Sequence, residues 1–249
     1  MPMSKVPVPK TVIVAALERE VALLIKKWTR VPREHEGRKF IFFEREDTAL
    51  VCGGIGLQAA RRATEASIAL YQPTLVKSAG FAGGLDPTLR VGDIFWPSLL
   101  LDARDGSRIS LEGRDGTLVT FMEVAGAAQK SKLAQAYAAR AVDMEAAAVA
   151  ASANAHGIAF TAIKVISDEL DFEIPGMSAF IDNDGEFHTL NFALFLALRP
   201  WLWLRIVLLT RNSGKAARAL SACLQSGRKA YAAVTQSVSS TIPPSERSK

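Results

Sequence analysis

Apolar residues along this chain fall into two rhythms, and the switches between them outline its elements. Residues 11–17, TVIVAAL, form an unbroken β-branched run and predict a buried strand. EREVALLIKKW follows with apolar positions on one face at helical spacing. Residues 39–51 carry KFIFFE and TALVCG around the polar turn REDT, which predicts a hairpin. The glycine-rich turn CGGIG (52–56) leads into a helix from about Leu57 to Leu70. TLVKSAG is a further strand, ending in the loop FAGGLDP, and VGDIFWPSLLL is a strand pair or one bent strand. Residues 102–116, rich in Asp, Gly and Arg, predict a loop or short hairpin. GTLVTFMEVAG and the helix AQKSKLAQAYAAR come next. AVDME, the small-residue helix AAAVAASANAHG and the apolar strand FTAIKVIS, closed by Asp168, complete the pattern. The order β-α-β-β-α-β and onward predicts an α/β fold: a mostly parallel or mixed sheet with helices on both faces.

Length and composition narrow the class. At 249 residues, 49% of them hydrophobic and 22% charged, the chain suits one large α/β domain with a sizeable core. Cys52 and Cys223 supply neither a disulfide framework nor metal-ligand spacing, which favours a reducing, cytoplasmic setting. Residues 1–10 lack the apolar run of a signal peptide and read as an extension; the domain is expected over 11–225 and a disordered tail over 226–249.

Charge is distributed unevenly. The net +5 comes from residues 190–249, which hold nine Lys/Arg against one Glu, while the rest is slightly acidic. Within that basic part, residues 190–209, LNFALFLALRPWLWLRIVLL, are apolar enough to suggest a membrane span. Pro200 breaks the run, and Arg199 and Arg205 are costly at bilayer depth, so a spanning helix is rejected. Two readings stay open: a helix packed on the core or on a second subunit, and an amphipathic segment making peripheral membrane contact through 190–225. Nucleic acid is not expected as a partner.

Candidate chemistry sits at the element ends. A carboxylate just past a buried strand occupies the place where open α/β sheets hold their ligands, and Asp168 is such a group. Glu145 opens the small-residue helix; Glu18 and Glu20 open the first one, where the helix dipole favours anions. Each has a plain structural alternative, as a cap or a surface group. Gly54-Ile55-Gly56 with Ala59 fits G-x-G-x-x-A, the spacing of a dinucleotide-binding turn. The next strand, however, ends in Ser78, Ala79 and Gly80, with no acid to hold a ribose, which weighs against an NAD(P)-dependent oxidoreductase. In the second glycine loop, Gly80-Phe81-Ala82-Gly83-Gly84-Leu85, backbone amides are free to approach a sugar or anion.

Taken jointly, IVAALEREV, GGIG, SAGFAGGLDPTLRVGDI, AVDMEAAAVA and KVISD resemble the purine nucleoside phosphorylase and methylthioadenosine/S-adenosylhomocysteine nucleosidase superfamily, in the order and rough spacing of its nucleosidase branch. The resemblance covers about Thr11 to Asp171 and implies a single α/β domain around a mixed, partly closed sheet. By that resemblance Glu20 activates the attacking water and Asp168 protonates the purine at ring nitrogen seven. Glu145 grips the ribose hydroxyls, Met144 packs beneath the sugar, Gly80 and Phe81 meet ribose and base, and Ser167 joins the substrate-binding set. It further implies a purine nucleosidase with no metal and no organic cofactor, in a homodimer. Glu18 and Glu20 stand where a phosphorylase would hold its anion, so hydrolysis is favoured over phosphorolysis; Arg61 and Arg62 are the candidates for a phosphate clamp. Phe81 replaces the small hydroxyl residue usual in the similar nucleosidases, and the segment before AVDME is short and lacks an assignable base-stacking aromatic. With the basic, tryptophan-containing end, these departures look more like the hopanoid-associated branch, whose members are similar to enzymes that remove adenine from adenosylhopane.

Overall fold

The computed structural model describes residues 10–173, 176–180, 182, 185 and 187–241. The first strand, β1 (Thr11–Ala15), sends Ile13 and Ala15 into one core cluster and Val12 and Val14 into another. This is the period-two alternation of a strand covered on both faces. Helix α1 (Glu18–Ile25) follows and buries Val21, Leu24 and Ile25. Then comes an antiparallel meander of β2 (Thr29–His35), β3 (Arg38–Arg45) and β4 (Thr48–Cys52). The hydrophobic pattern identifies β3 and β4 but not β2, TRVPREH, whose residues are mostly exposed. It is the outermost strand of the sheet, where Pro32 and charged side chains are tolerated because little is packed against them.

Helix α2 (Leu57–Tyr71) leads to β5 (Leu75–Gly84), the longest strand together with the last one. Two short strands, β6 (Ile94–Phe95) and β7 (Leu99–Asp102), stand where a strand pair or one bent strand is expected, without pairing to each other, and β8 (Arg108–Ser110) folds back on β7 as the expected hairpin. The remainder is β9 (Thr117–Thr120), α3 (Ala127–Tyr137), β10 (Ala139–Asp143), α4 (Ala146–Ala155), β11 (Ala159–Asp168), α5 (Thr189–Ala197) and α6 (Trp203–Thr241).

The sheet runs β2-β3-β4-β1-β5-β10-β9-β7-β8, with β11 on β5 and β6. It is mixed and flanked by helices, but among the described residues it branches instead of closing. The branch point is β5. One edge pairs with β11 in parallel from Leu75 to Gly83. The other pairs with β1 over residues 75–78 and, in antiparallel sense, with β10 at Gly83 and Gly84. Residues 79–82 have no strand partner on that edge among the described residues, so the ends of β1 and β10 part there and leave room for a ligand.

Helices α1 and α6 cover one face, where Ala216, Leu220 and Leu224 pack on Val21, Leu24 and Ile163. Helices α2 and α4 cover the other through Ala60, Ala63, Val149 and Ala153. Each fully buried Val or Leu contributes about 1.5–3 kcal/mol, so these two layers hold the sheet rigid beneath the site. The basic segment is thus divided: one face of α6 between Ala216 and Leu224 belongs to the core. Helix α6 runs to Thr241, so residues 226–241 of the expected tail lie on it; residues 1–9 and 242–249 fall outside the described set. Pro200 does interrupt the apolar run, and the two helical arms meet at a bend of 111°. No single helix among the described residues is long and apolar enough to cross a membrane.

Candidate active site

The gap beside β5 collects carboxylates from three elements. Glu20, in the first turn of α1, is only 5% exposed, and its Oε2 has no hydrogen-bond partner among the described residues. It reaches that position because residue 80 has no side chain: a Cβ on Gly80 would lie 2.8 Å from Glu20 Oε2. Burial, reinforced by the charge of Glu145, pushes the Glu20 carboxyl up to about 8.

Glu145 stands at the N-cap position of α4, but its carboxylate bonds no α4 amide and turns back toward the chain. Its Oε1 accepts from the Gly56 amide at 2.8 Å and its Oε2 from the Met144 amide at 3.2 Å. Burial moves it up to about 6, while Lys164 opposes that rise. The Gly54-Ile55-Gly56 turn therefore points an amide at a carboxylate of the protein itself, with Gly56 at φ +90°. That is a different use from the dinucleotide turn its spacing resembles.

Below these acids lies a buried ion pair. Lys164, on β11, bonds Asp143 Oδ2 at 2.8 Å and Ser78 Oγ at 3.0 Å. Asp143 also accepts from Thr120 Oγ1 at 2.6 Å and from the Ala146 amide at 2.9 Å, so both of its oxygens are engaged. Burial works against the charge on Lys164, but Asp143, Glu145 and Glu20 outweigh it and hold the ammonium above its ordinary value. The lysine is thus a fixed positive charge beneath two carboxylates.

Asp168 ends β11 on the opposite wall, with its side chain about a quarter exposed. Ser167 Oγ donates to its Oδ1 at 2.6 Å, and Lys130 Nζ binds its Oδ2. Lys130, 1% exposed on α3, also donates to the carbonyls of Glu169 at 2.6 Å and Phe172 at 3.1 Å. All three of its hydrogens are then engaged. A Cβ on Gly83 would come within 3.1 Å of Asp168 Oδ2 and 3.2 Å of Lys130 Cε, so this glycine too makes room for an acid.

Glu20, Phe81, Met144, Glu145, Ser167 and Asp168 all line one cleft of about 160 Å³, joined by Arg19, Lys130 and Asp143. Gly80 stands behind Glu20. The structure therefore brings together the residues named for catalysis and substrate binding, with one correction to their setting. Residues 80–84 are not a loop but the second half of β5, and Gly80 and Gly83 admit the neighbouring carboxylates of Glu20 and Asp168. Arg61 and Arg62 lie elsewhere, in a wider hollow of about 820 Å³ beside His35 and His156, and cannot clamp a phosphate in this cleft. Among the described residues no group of three or more His, Cys, Asp or Glu is arranged to hold a metal.

Sequence reasoning missed Lys130, Asp143 and Lys164. A lysine inside the apolar strand AIKVIS was a legible signal, since an unpaired ammonium is rarely buried. Lys130 gave none: AAQKSKL looks like any solvated helix face.

Comparison with known proteins agrees with this architecture. The family model of the phosphorylase superfamily matches residues 10–119 and 112–197. A 5'-methylthioadenosine/S-adenosylhomocysteine nucleosidase of Colwellia psychrerythraea is 41% identical over 88 residues, 34% of this chain and 36% of that protein. The enzyme of the same description from a Marinomonas species is 37% identical over 86 residues, 33% and 37% of the two chains. The match spans little more than a third of these relatives' length. Among solved structures, the apo 5'-methylthioadenosine nucleosidase of Arabidopsis thaliana superposes with a TM-score of 0.67 at 19% identity, over 88% of this chain and 94% of that one. Futalosine hydrolase of Helicobacter pylori gives 0.61 at 15%, over 88% and 98%. At such identities the likeness is one of fold.

Proposed function

The chain belongs to the phosphorylase superfamily, and on that premise we propose that it is a hydrolase that cleaves the N-glycosidic bond of a 5'-substituted adenosine and releases adenine. The observation that carries this reading is the convergence of Glu20, Glu145 and Asp168 on one cleft, two of them buried with raised affinity for protons.

The chemistry calls for such a set. Breaking the bond builds positive charge on the sugar and negative charge on the leaving base, as in glycoside hydrolysis with a nitrogen leaving group. Glu20, once ionised, takes a proton from water, and the oxygen forms its bond to the anomeric carbon. The carbon–nitrogen bond breaks, its electron pair goes to the purine, and Asp168, which has to enter the step in its protonated form, gives that proton to the base. Such a positioned acid contributes roughly 10²–10⁴-fold. Ser167 and Lys130 then stabilise the carboxylate left behind. Glu145, steadied by two amides, accepts from the ribose hydroxyls and offsets the charge of the cationic ring. Met144 and Phe81 supply apolar walls.

Hydrolysis is favoured because the group on the wall nearest the first strand is Glu20, which once ionised is a base for water and repels an attacking anion. Phosphorolysis is the second reading, supported by Arg19 at the cleft. The proposal extends to a cytoplasmic homodimer. For the 5' substituent it includes a thioether, as in the named substrates of the relatives, and a bulky apolar group of the adenosylhopane kind. Adenine release from methylthioadenosine, adenosine and a 5'-alkyl adenosine, each with and without phosphate, tests it. Release that ignores phosphate and collapses in Asp168→Asn is expected. Release only with phosphate makes the protein a phosphorylase, and no release from any of the three overturns the reading.

A further inference from the structure

Helix α5 is apolar on both sides. Phe192 and Phe195 turn inward, where they pack edge-on against Phe180. Leu190, Leu194 and Leu198, one helical turn apart, turn outward and are 73%, 61% and 77% exposed. After the 111° bend the outward stripe continues along the start of α6, with Leu204 71% and Val207 53% exposed. Trp201 and Trp203 stand at the corner, 71% and 56% exposed, and Trp203 Nε1 is tied to the Leu196 carbonyl at 3.0 Å. A water-soluble surface seldom leaves so continuous an apolar ridge bare.

Its surroundings say what covers it. Arg199, Arg205 and Arg211 lie within or just beyond the ridge in sequence, Lys215 and Arg218 follow as exposed cations on the same helix, and no Asp or Glu occurs between residues 189 and 241. A second copy docking through the same face about a two-fold axis would set this basic border against itself. An anionic lipid surface instead complements it, and apolar side chains with tryptophans between cations suit the headgroup boundary. A ridge bent through 111° also lies along a surface more readily than it crosses one.

We infer that the ridge formed by α5, the Trp201–Trp203 corner and the start of α6 docks this protein peripherally on anionic lipid bilayers. The ridge is linked to the cleft. Arg205 Nη1 donates to the Glu173 carbonyl at 2.8 Å, and the Glu173 carboxylate accepts from the Ala127 amide at the head of α3, the helix that carries Lys130. Docking would thus set the cleft beside the membrane. The inference stands apart from the proposed reaction, and the two are tested separately.

The full chain is sedimented with phosphatidylcholine vesicles and with vesicles about a third phosphatidylglycerol, at low and high salt. Binding to the anionic vesicles alone, weakened by salt, is expected. The variant Leu198→Ser/Trp201→Ser/Leu204→Ser, changed only at exposed positions, should lose at least about tenfold in vesicle binding while its circular dichroism and its activity on a soluble nucleoside match the wild type. Arg211→Gln/Arg218→Gln should weaken binding to anionic vesicles only. Equal binding by wild type and triple variant, or binding to neither vesicle, overturns the inference. So does a triple variant that changes from dimer to monomer with vesicle binding intact, which assigns the ridge to a second copy.

Discussion

Lys130 and Asp168 are 38 positions apart, on α3 and at the end of β11, and meet as a buried ammonium on the carboxylate at the cleft wall. The lysine also ties down the carbonyls of Glu169 and Phe172 in the segment after Asp168, so it orients both the acid and the chain leaving it. Lys130→Met removes this hold without changing the cleft's other carboxylates. Stability is expected to fall by about 1–3 kcal/mol in urea unfolding, because the carbonyls lose a buried donor. Adenine release should lose turnover more than apparent affinity, since the acid is misplaced while the sugar contacts remain. A variant with wild-type kcat contradicts a positioning role.

Glu20 sets a pH dependence whose sign follows from its raised value. The carboxylate has to be ionised to accept a proton from water, so kcat/KM should rise with pH through about 8. Stability runs the other way. The folded state keeps this proton while the unfolded chain releases it near 4.5, so the contribution is fully present below that value. It declines across the window up to about 8 and is lost above. Glu20→Gln should therefore flatten the urea-derived stability between those limits while lowering turnover roughly 10²–10⁴-fold. An unchanged rate profile removes Glu20 from the chemistry.

Gly80→Ala tests whether the glycine exists for that carboxylate. The added methyl would sit 2.8 Å from Glu20 Oε2, the far end of a flexible side chain, so the fold can yield and the acid moves instead. We expect a small change in Tm with a loss in kcat of about tenfold or more. Gly84→Ala, where the nearest atoms are at ordinary contact distances of 3.4 Å and beyond, is the control and should be milder on kcat.

Lys164 supports the site from below, and its loss is expected to be structural first. Lys164→Met leaves Asp143 buried without its cation, at a cost of about 3–5 kcal/mol. Adding Asp143→Asn should recover part of that stability by removing the stranded charge. Because Lys164 lowers the proton affinity of Glu145, which stands at about 6, the pH below which substrate binding fails should move upward in the single variant. Binding measured by calorimetry across pH checks this.

Much of this arrangement was legible in the sequence. Strands β1, β3, β4 and β11 and helices α1, α2 and α4 follow from local rhythm, because a strand covered on both faces and a helix covered on one leave periodic marks. The acids could be named in advance because they sit at element ends, where chain direction and helix dipole already favour a ligand or an anion. Strand β2 was not legible, since an exposed edge imposes no pattern. Nor was the second half of β5: its glycines look like loop punctuation until the packing shows that Glu20 and Asp168 occupy the space of the missing side chains.

Local pattern thus determined which elements form and which carboxylates end them. Tertiary structure alone decided their chemical state and company. The proton affinity of Glu20 depends on the water its neighbours exclude and on Glu145, 125 positions away. Lys130 becomes a partner of Asp168 only once α3 is laid against the end of β11. The outward ridge on α5 is apolar in sequence like the buried face beside it, and only packing shows which of the two stays bare. Periodicity is a property of near neighbours, whereas desolvation, ion pairing and exposure are set by residues that the fold brings together from far along the chain.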